Sequence, residues 1–220
     1  MAGSTRILVW DGALRLFHWS IVLLVAAMWW TAENGEMTWH MRLGMVLMAL
    51  LLFRILWGFV GSTTARFGSF VAGPGAVLSY LTGNRREEAE GIGHNPAGGW
   101  SVLALLLVML AQVGLGLFSG DPYDGATGPL NHMVGAMTAG WMTDWHEIGF
   151  NVLLGLIGLH VAAILFYVFV KRENLVTPMV TGKRKGGAVV DGMESPSVTR
   201  GIVCLAIATV IPLWIWFGAG

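Results

Sequence analysis

Charge is scarce in this sequence: only 12% of its 220 residues are Asp, Glu, Lys or Arg, against 55% hydrophobic. A water-soluble globule needs more charge to cover its surface, so that class is excluded. Cysteine is scarcer still. The single Cys204 allows no disulfide within the chain and no C-x-x-C-H attachment of a c-type haem. Basic residues are not in excess either, with 13 Lys and Arg against 13 Asp and Glu, and nucleic acid is not an expected partner.

Long apolar runs are what the chain does have. Five of them, at about 14–31, 41–60, 100–118, 146–170 and 201–217, approach or exceed the ~20 helical residues that cross a hydrocarbon core. The expected fold is an all-α integral membrane protein: a four-helix transmembrane bundle in residues 1–185, then a linker and an additional C-terminal transmembrane helix in 186–220. Arg6, Asp11 and Arg15 flank the first run and no small-residue cleavage site follows it, so it reads as a retained helix rather than a secretory signal. Nearly all Lys and Arg residues outside the helices fall on one side if the N-terminus is cytoplasmic, with Arg42 near the other face and Arg54 inside a helix. That bias places the C-terminus on the outer side. The outer segments carry Glu33, Glu36, Asp121, Asp124, Asp144 and Glu147 against Arg42, which makes the outer face acidic.

The connecting segments look peripheral. Residues 61–99 form an inner loop with a short amphipathic helix expected over 75–83 and a charged run, NRREEAE, over 84–90. Residues 119–145 read as an outer loop rich in Gly, Met and Trp, suited to the membrane interface and to a partner. Residues 171–200 form a basic inner segment.

Ionisable groups inside spanning helices point to function. His146 and His160 lie fourteen residues apart in one helix, ~21 Å along its axis and nearly on one face. Alternating helix direction sets His40 at the outer level with His146, and His18 at the inner level with His160. Two stacked pairs of imidazoles on facing helices are what two b-type haems require. An iron with two axial imidazoles has no open coordination position, which suits electron transfer. A zinc site, by contrast, gathers four ligands at one level.

Weaker signals surround the histidines. Gly44 and Gly58, also fourteen apart, and Gly155 and Gly158 would let a flat macrocycle approach the backbone, although small residues also serve simple helix packing. Arg15, Arg42 and Arg54 are candidates to pair with haem propionates. Interfacial anchoring competes for Arg15 and Arg42, and snorkelling for Arg54. His94 reads as a loop-docking residue or part of a quinone pocket, and His132 as a surface residue. The eleven tryptophans and twelve methionines fit the interface belt and apolar packing.

The stretches VWDGALRLFHW, LLFRILWGFVG, GHNPAGGW and RENLVTPMVTGKRK, together with His146 and His160, resemble the prokaryotic cytochrome b561 family, which includes the b-type cytochrome subunit of nickel-iron hydrogenases. The resemblance covers roughly residues 8–185 and leaves the fifth helix outside. It implies two haem b groups on His18, His40, His146 and His160, and electron exchange with quinone. The fourteen-residue spacing is also similar to that of the membrane subunit of respiratory formate dehydrogenase.

The expected function is therefore that of an electron-transfer subunit of an oxidoreductase in the bacterial inner membrane. It would relay electrons between a periplasmic partner, a c-type cytochrome, hydrogenase or other dehydrogenase, and the quinone pool. A chain that itself oxidises superoxide and reduces quinone is one alternative. A non-redox histidine-containing transporter or membrane anchor is the other.

Overall fold

The computed structural model describes residues 6–83, 93–120, 126–185 and 197–218. The charged run 84–90, Asp121, Asp124 and the linker 186–196 lie outside the described residues. Among the described residues five helices are long and apolar enough to cross a membrane: α1 (Gly12–Glu33), α2 (Met37–Val60), α5 (Pro96–Phe118), α6 (Ala136–Phe166) and α8 (Val198–Gly218). Short helices α3 (Phe67–Phe70), α4 (Pro74–Leu81) and α7 (Val176–Thr181) lie in the connections.

Local chemistry fixes where these helices begin. The Asp11 carboxylate caps α1 by accepting from the Leu14 N–H at 2.7 Å. Asn95 caps α5 by accepting from the Gly98 N–H at 2.7 Å, with Pro96 at the first helical position. Gly35, at φ +71°, turns the chain between α1 and α2, a conformation that favours glycine.

The helix α2 is the centre of the bundle. It packs against α1 on one side, α8 on another and α5 more sparingly, while α6 packs on α5. The core runs through all five spanning helices, from Leu14 and Phe17 through Leu51 and Trp57 to Leu106, Met109, Leu153, Cys204 and Ala208. Only Ala139 and Leu153 of α6 are buried, and it makes no backbone approach to α1 or α2 comparable with its contact to α5. Exposed Leu, Val, Ile, Phe and Trp side chains along α1, α6 and α8 leave a broad apolar surface on the bundle.

Two segments read as loops carry structure. The outer loop expected over 119–145 closes with a 3-10 turn, Asn131–Met133, and α6 then starts at Ala136, ten residues before the apolar run begins. The Thr143 hydroxyl donates to the Ala139 carbonyl within this early part, and Ala139 is buried beside Gly120. Residues 167–185, after α6, carry structure as well. The helix ends in a π turn, Tyr167–Lys171, and after α7 the strand β2 (Lys183–Lys185) pairs antiparallel with β1 (Arg6–Leu8). The Val9 and Trp10 N–H groups both donate to the Gly182 carbonyl, at 2.8 and 3.2 Å, so the start of the chain is stapled beneath the end of the bundle.

Candidate functional site

Four histidines meet as two pairs. His40 from the first turn of α2 faces His146 on α6, with ring centres 6.2 Å apart. His18 from α1 faces His160, fourteen residues further along α6, at 6.4 Å. Each pair bridges helices whose backbones stand apart, so the side chains alone span the gap. The helix direction and level that assigned the pairs from sequence are those observed.

The geometry is tested against a metal held between facing rings. Two imidazole nitrogens bound to one metal at ~2 Å each, on rings whose centres lie about 1 Å behind those nitrogens, put the ring centres about 6 Å apart. Both pairs meet that figure. Among the described residues no group of three His, Cys, Asp or Glu is placed to hold a metal ion, so neither pair has the further protein ligands that zinc takes. A metal carried in a macrocycle, which brings its own equatorial ligands, fits the donor set.

The His40–His146 pair is oriented by main chain. The His40 Nδ1 bonds to the Met28 carbonyl of α1 at 2.9 Å, and the His146 Nδ1 to the Gln112 carbonyl of α5 at 2.9 Å. A carbonyl only accepts, so each Nδ1 carries the hydrogen and each Nε2 keeps its lone pair for a metal. The Met28 carbonyl also accepts from the buried Thr31 hydroxyl at 2.9 Å.

Near the His18–His160 pair lies a buried cation. Arg54 is 1% exposed, lies over Phe67 at 4.9 Å and Phe70 at 6.0 Å, and has no hydrogen-bond partner for either Nη atom among the described residues. Asp11 is the anion whose charge acts on that guanidinium, but it does not bond to either Nη atom, and the carboxylate of a bound cofactor is of the right chemistry to do so. His94 is packed between the tilted rings of Trp10 at 4.6 Å and Phe70 at 4.7 Å, and its buried Nδ1 is also without a hydrogen-bond partner among the described residues. Burial pushes the His94 imidazole down to about 3, and the charges of Arg54, His160 and His18 act in the same direction. The ring is therefore neutral at physiological pH.

The remaining candidates have other uses. Arg15 donates from Nη1 to the Val180 carbonyl at 2.6 Å and so ties α7 to α1, because the chain after α6 returns to that end of the bundle. Arg42 is exposed and lies over the Trp39 ring at 5.1 Å, as an interface anchor does. The space beside Gly58 is filled by the Phe67 ring, so its missing side chain admits the inner loop rather than an open groove. Gly44 is buried against the Met28 methyl at 3.6 Å from a Cβ position, whereas Gly155 and Gly158 face open space. His132 is exposed.

Several contributors carry little sequence signal. Asp11 is 2% exposed and, besides capping α1, accepts from Trp57 Nε1 at 3.1 Å and Ser62 Oγ at 2.5 Å, which locks the start of α1 to the end of α2. Asn95 also donates to the Tyr167 hydroxyl at 2.9 Å, and that hydroxyl meets Tyr80. Gln112, buried in α5, could have been singled out as a polar side chain in an apolar run.

The family described as prokaryotic cytochrome b561 matches residues 9–182. The chain is 24% identical over 210 residues to the probable Ni/Fe-hydrogenase 1 B-type cytochrome subunit of Escherichia coli (strain K12), covering 80% of this chain and 89% of that protein. It is 23% identical over 221 residues to the probable Ni/Fe-hydrogenase B-type cytochrome subunit of Bradyrhizobium diazoefficiens, covering 83% and 87%. No solved structure matches significantly. The family match takes in the first four spanning helices and all four paired histidines, and the chain thus belongs to the prokaryotic cytochrome b561 family, as a multi-pass membrane protein of electron transfer that carries haem b.

Proposed function

We propose that this chain is a dihaem cytochrome that relays electrons across the bacterial inner membrane between a periplasmic redox partner and the quinone pool. The observation that carries this reading is the pair of imidazole contacts, 6.2 and 6.4 Å between ring centres, stacked along one face of α6. His40 with His146 would hold the outer haem, and His18 with His160 the inner one. A haem b with two axial imidazoles supplies one-electron transfer with no vacant position for oxygen.

The other residues orient and neutralise. The Met28 and Gln112 carbonyls fix the tautomer of the outer imidazoles. Arg54 offers a carboxylate on the inner side two Nη atoms that have no hydrogen-bond partner among the described residues, and His94 and its aromatic neighbours exclude water there. Reduction of one quinone consumes two electrons, delivered singly, and two protons, giving the quinol.

The periplasmic partner is read from two features. The relatives are named as subunits of Ni/Fe-hydrogenases, which makes a hydrogenase the first candidate. Exposed Glu33, Glu36, Asp144 and Glu147 at the outer ends of α1, α2 and α6 favour a partner with a basic docking patch, a c-type cytochrome included. The Lys and Arg distribution supports a cytoplasmic N-terminus.

A pyridine haemochrome assay on purified protein of known concentration tests the reading. About two b haems per chain are expected. His40→Ala and His146→Ala should lose one spectral component, and His18→Ala and His160→Ala the other. A folded preparation without haem would sink the proposal.

A further inference from the structure

The one buried carboxamide in the middle of α5 engages an outer-level histidine twice. The Gln112 Nε2 donates to the main-chain carbonyl of His146 at 2.9 Å, while the His146 Nδ1–H donates back to the main-chain carbonyl of Gln112 at 2.9 Å. The two residues thus clasp each other across the α5–α6 contact. Glycines on both helices make room for it. A Cβ at Gly116 would lie 3.0 Å from His146 Cε1 and 3.4 Å from its Nδ1, and a Cβ at Gly149 would collide with Gln112 Oε1.

An amide in this place is costly. Gln112 is 7% exposed, and its Oε1 has no hydrogen-bond partner among the described residues, a deficit that an apolar side chain of the same size would avoid. Helix packing alone does not call for it, since the neighbouring α5 core residues Leu106 and Met109 pack without polar atoms beyond the thioether. What only the amide provides is a fixed position for the His146 backbone relative to the carbonyl that its own ring must reach. The ring is then held with Nδ1 turned to α5 and its other nitrogen free for the His40 side.

We propose that Gln112, seated by Gly116 and Gly149, is a positioning residue for His146 that sets the orientation of its imidazole and thereby the electronic state of the outer haem. The inference rests on the dihaem reading above. It extends that reading from the ligands to a device on α5, a helix that supplies no ligand. Such an outer support governs ligand orientation and basicity in metal sites generally. The inner pair has no counterpart on α5, so the effect is confined to one centre.

Electron paramagnetic resonance of the oxidised, haem-loaded protein separates this role from simple glue. The largest g-value of a low-spin ferric centre with two axial imidazoles responds to the angle between their planes, which is 81° for His40 and His146 and 55° for His18 and His160. Gln112→Met keeps the volume and removes the donor, and Gly149→Ala leaves Gln112 but displaces its carboxamide. Both should shift the outer centre's signal and leave the inner one unmoved, with outer assigned by its loss in His40→Ala. An unmoved outer signal in both variants overturns the inference, even if thermal stability falls. If Gln112→Met fails to assemble, Gly149→Ala decides alone by the same criterion. A wild-type protein with no bis-imidazole signal would instead overturn the dihaem reading, and this inference with it.

Discussion

Replacing Asp11 should damage this protein far beyond the loss of one capping residue. Its carboxylate is 2% exposed and accepts three hydrogen bonds, from the Leu14 N–H, Trp57 Nε1 and Ser62 Oγ. In Asp11→Ala the cap is worth about 1 kcal/mol, and each of the two buried side-chain donors left without an acceptor about 1–3 kcal/mol, for a total of roughly 3–7 kcal/mol. Ser62 has a rotatable hydroxyl and can find relief, whereas the Trp57 indole only donates, so the cost is about 2–4 kcal/mol if Ser62 relaxes. Asp11→Asn is no rescue. With its oxygen toward Leu14 the amide presents N–H to the indole, and with the amide flipped it presents N–H to the helix end. Equilibrium unfolding in mixed micelles measures both variants. Trp57→Phe in the same background removes the conflicting donor and should reduce the Asp11→Asn penalty by about 1–2 kcal/mol, the coupling expected of contacting partners. An Asp11→Ala cost within about 0.5 kcal/mol of zero, the range of ordinary surface changes, would refute the reasoning.

Other consequences follow from the same geometry. Arg54→Met should stabilise the haem-free protein, where neither Nη atom of the buried guanidinium has a hydrogen-bond partner among the described residues, and weaken retention of the inner haem in the loaded one. Equal signs in thermal denaturation of the two forms would count against a carboxylate partner. Because the His94 pKa is lowered from 6.5 to about 3 in the fold, the unfolded chain binds its proton first as pH drops. Stability should therefore be flat above pH 6.5 and fall toward pH 3, and His94→Gln should flatten that part of the profile in detergent melts. Electron exchange with a basic periplasmic partner should slow as ionic strength rises, and a stopped-flow rate independent of salt would exclude docking on the acidic outer face.

Much of the bundle was legible because spanning helices obey one strong rule, that apolar length must match the bilayer. Rise per residue and alternating direction then sufficed to match His40 with His146 and His18 with His160. Hydropathy failed at the early part of α6. Residues 136–145 contain Gly140, Thr138, Thr143 and Asp144, so no apolar run marks them, yet helix persists there because Ala139 finds a seat against Gly120. The use of Arg15 was equally hidden, since its acceptor, Val180, is 165 residues away and is placed only once β2 pairs with β1. Gly58 misled for a related reason: a small residue signals a close approach without naming what approaches, and here it is Phe67 from the following loop.

The unequal packing of the helices bears on why this sequence would hold planar groups at all. A bundle stabilised only by its own side chains would draw α6 in against α1 and α2, yet nearly all of α6 outside Ala139 and Leu153 is left unburied and its close contact is with α5. The fifth spanning helix does not fill the gap. It packs on α2 through Cys204, Ala208 and Pro212, and Arg200 secures it by donating to the Val60 carbonyl at 3.0 Å. That arrangement thickens the α2 side and leaves His146 and His160 to reach His40 and His18 across the gap between α6 and the α1–α2 side. Haem loading should therefore stabilise α6 more than α8. Hydrogen exchange that slows equally in both helices on loading would show that the groups sit elsewhere.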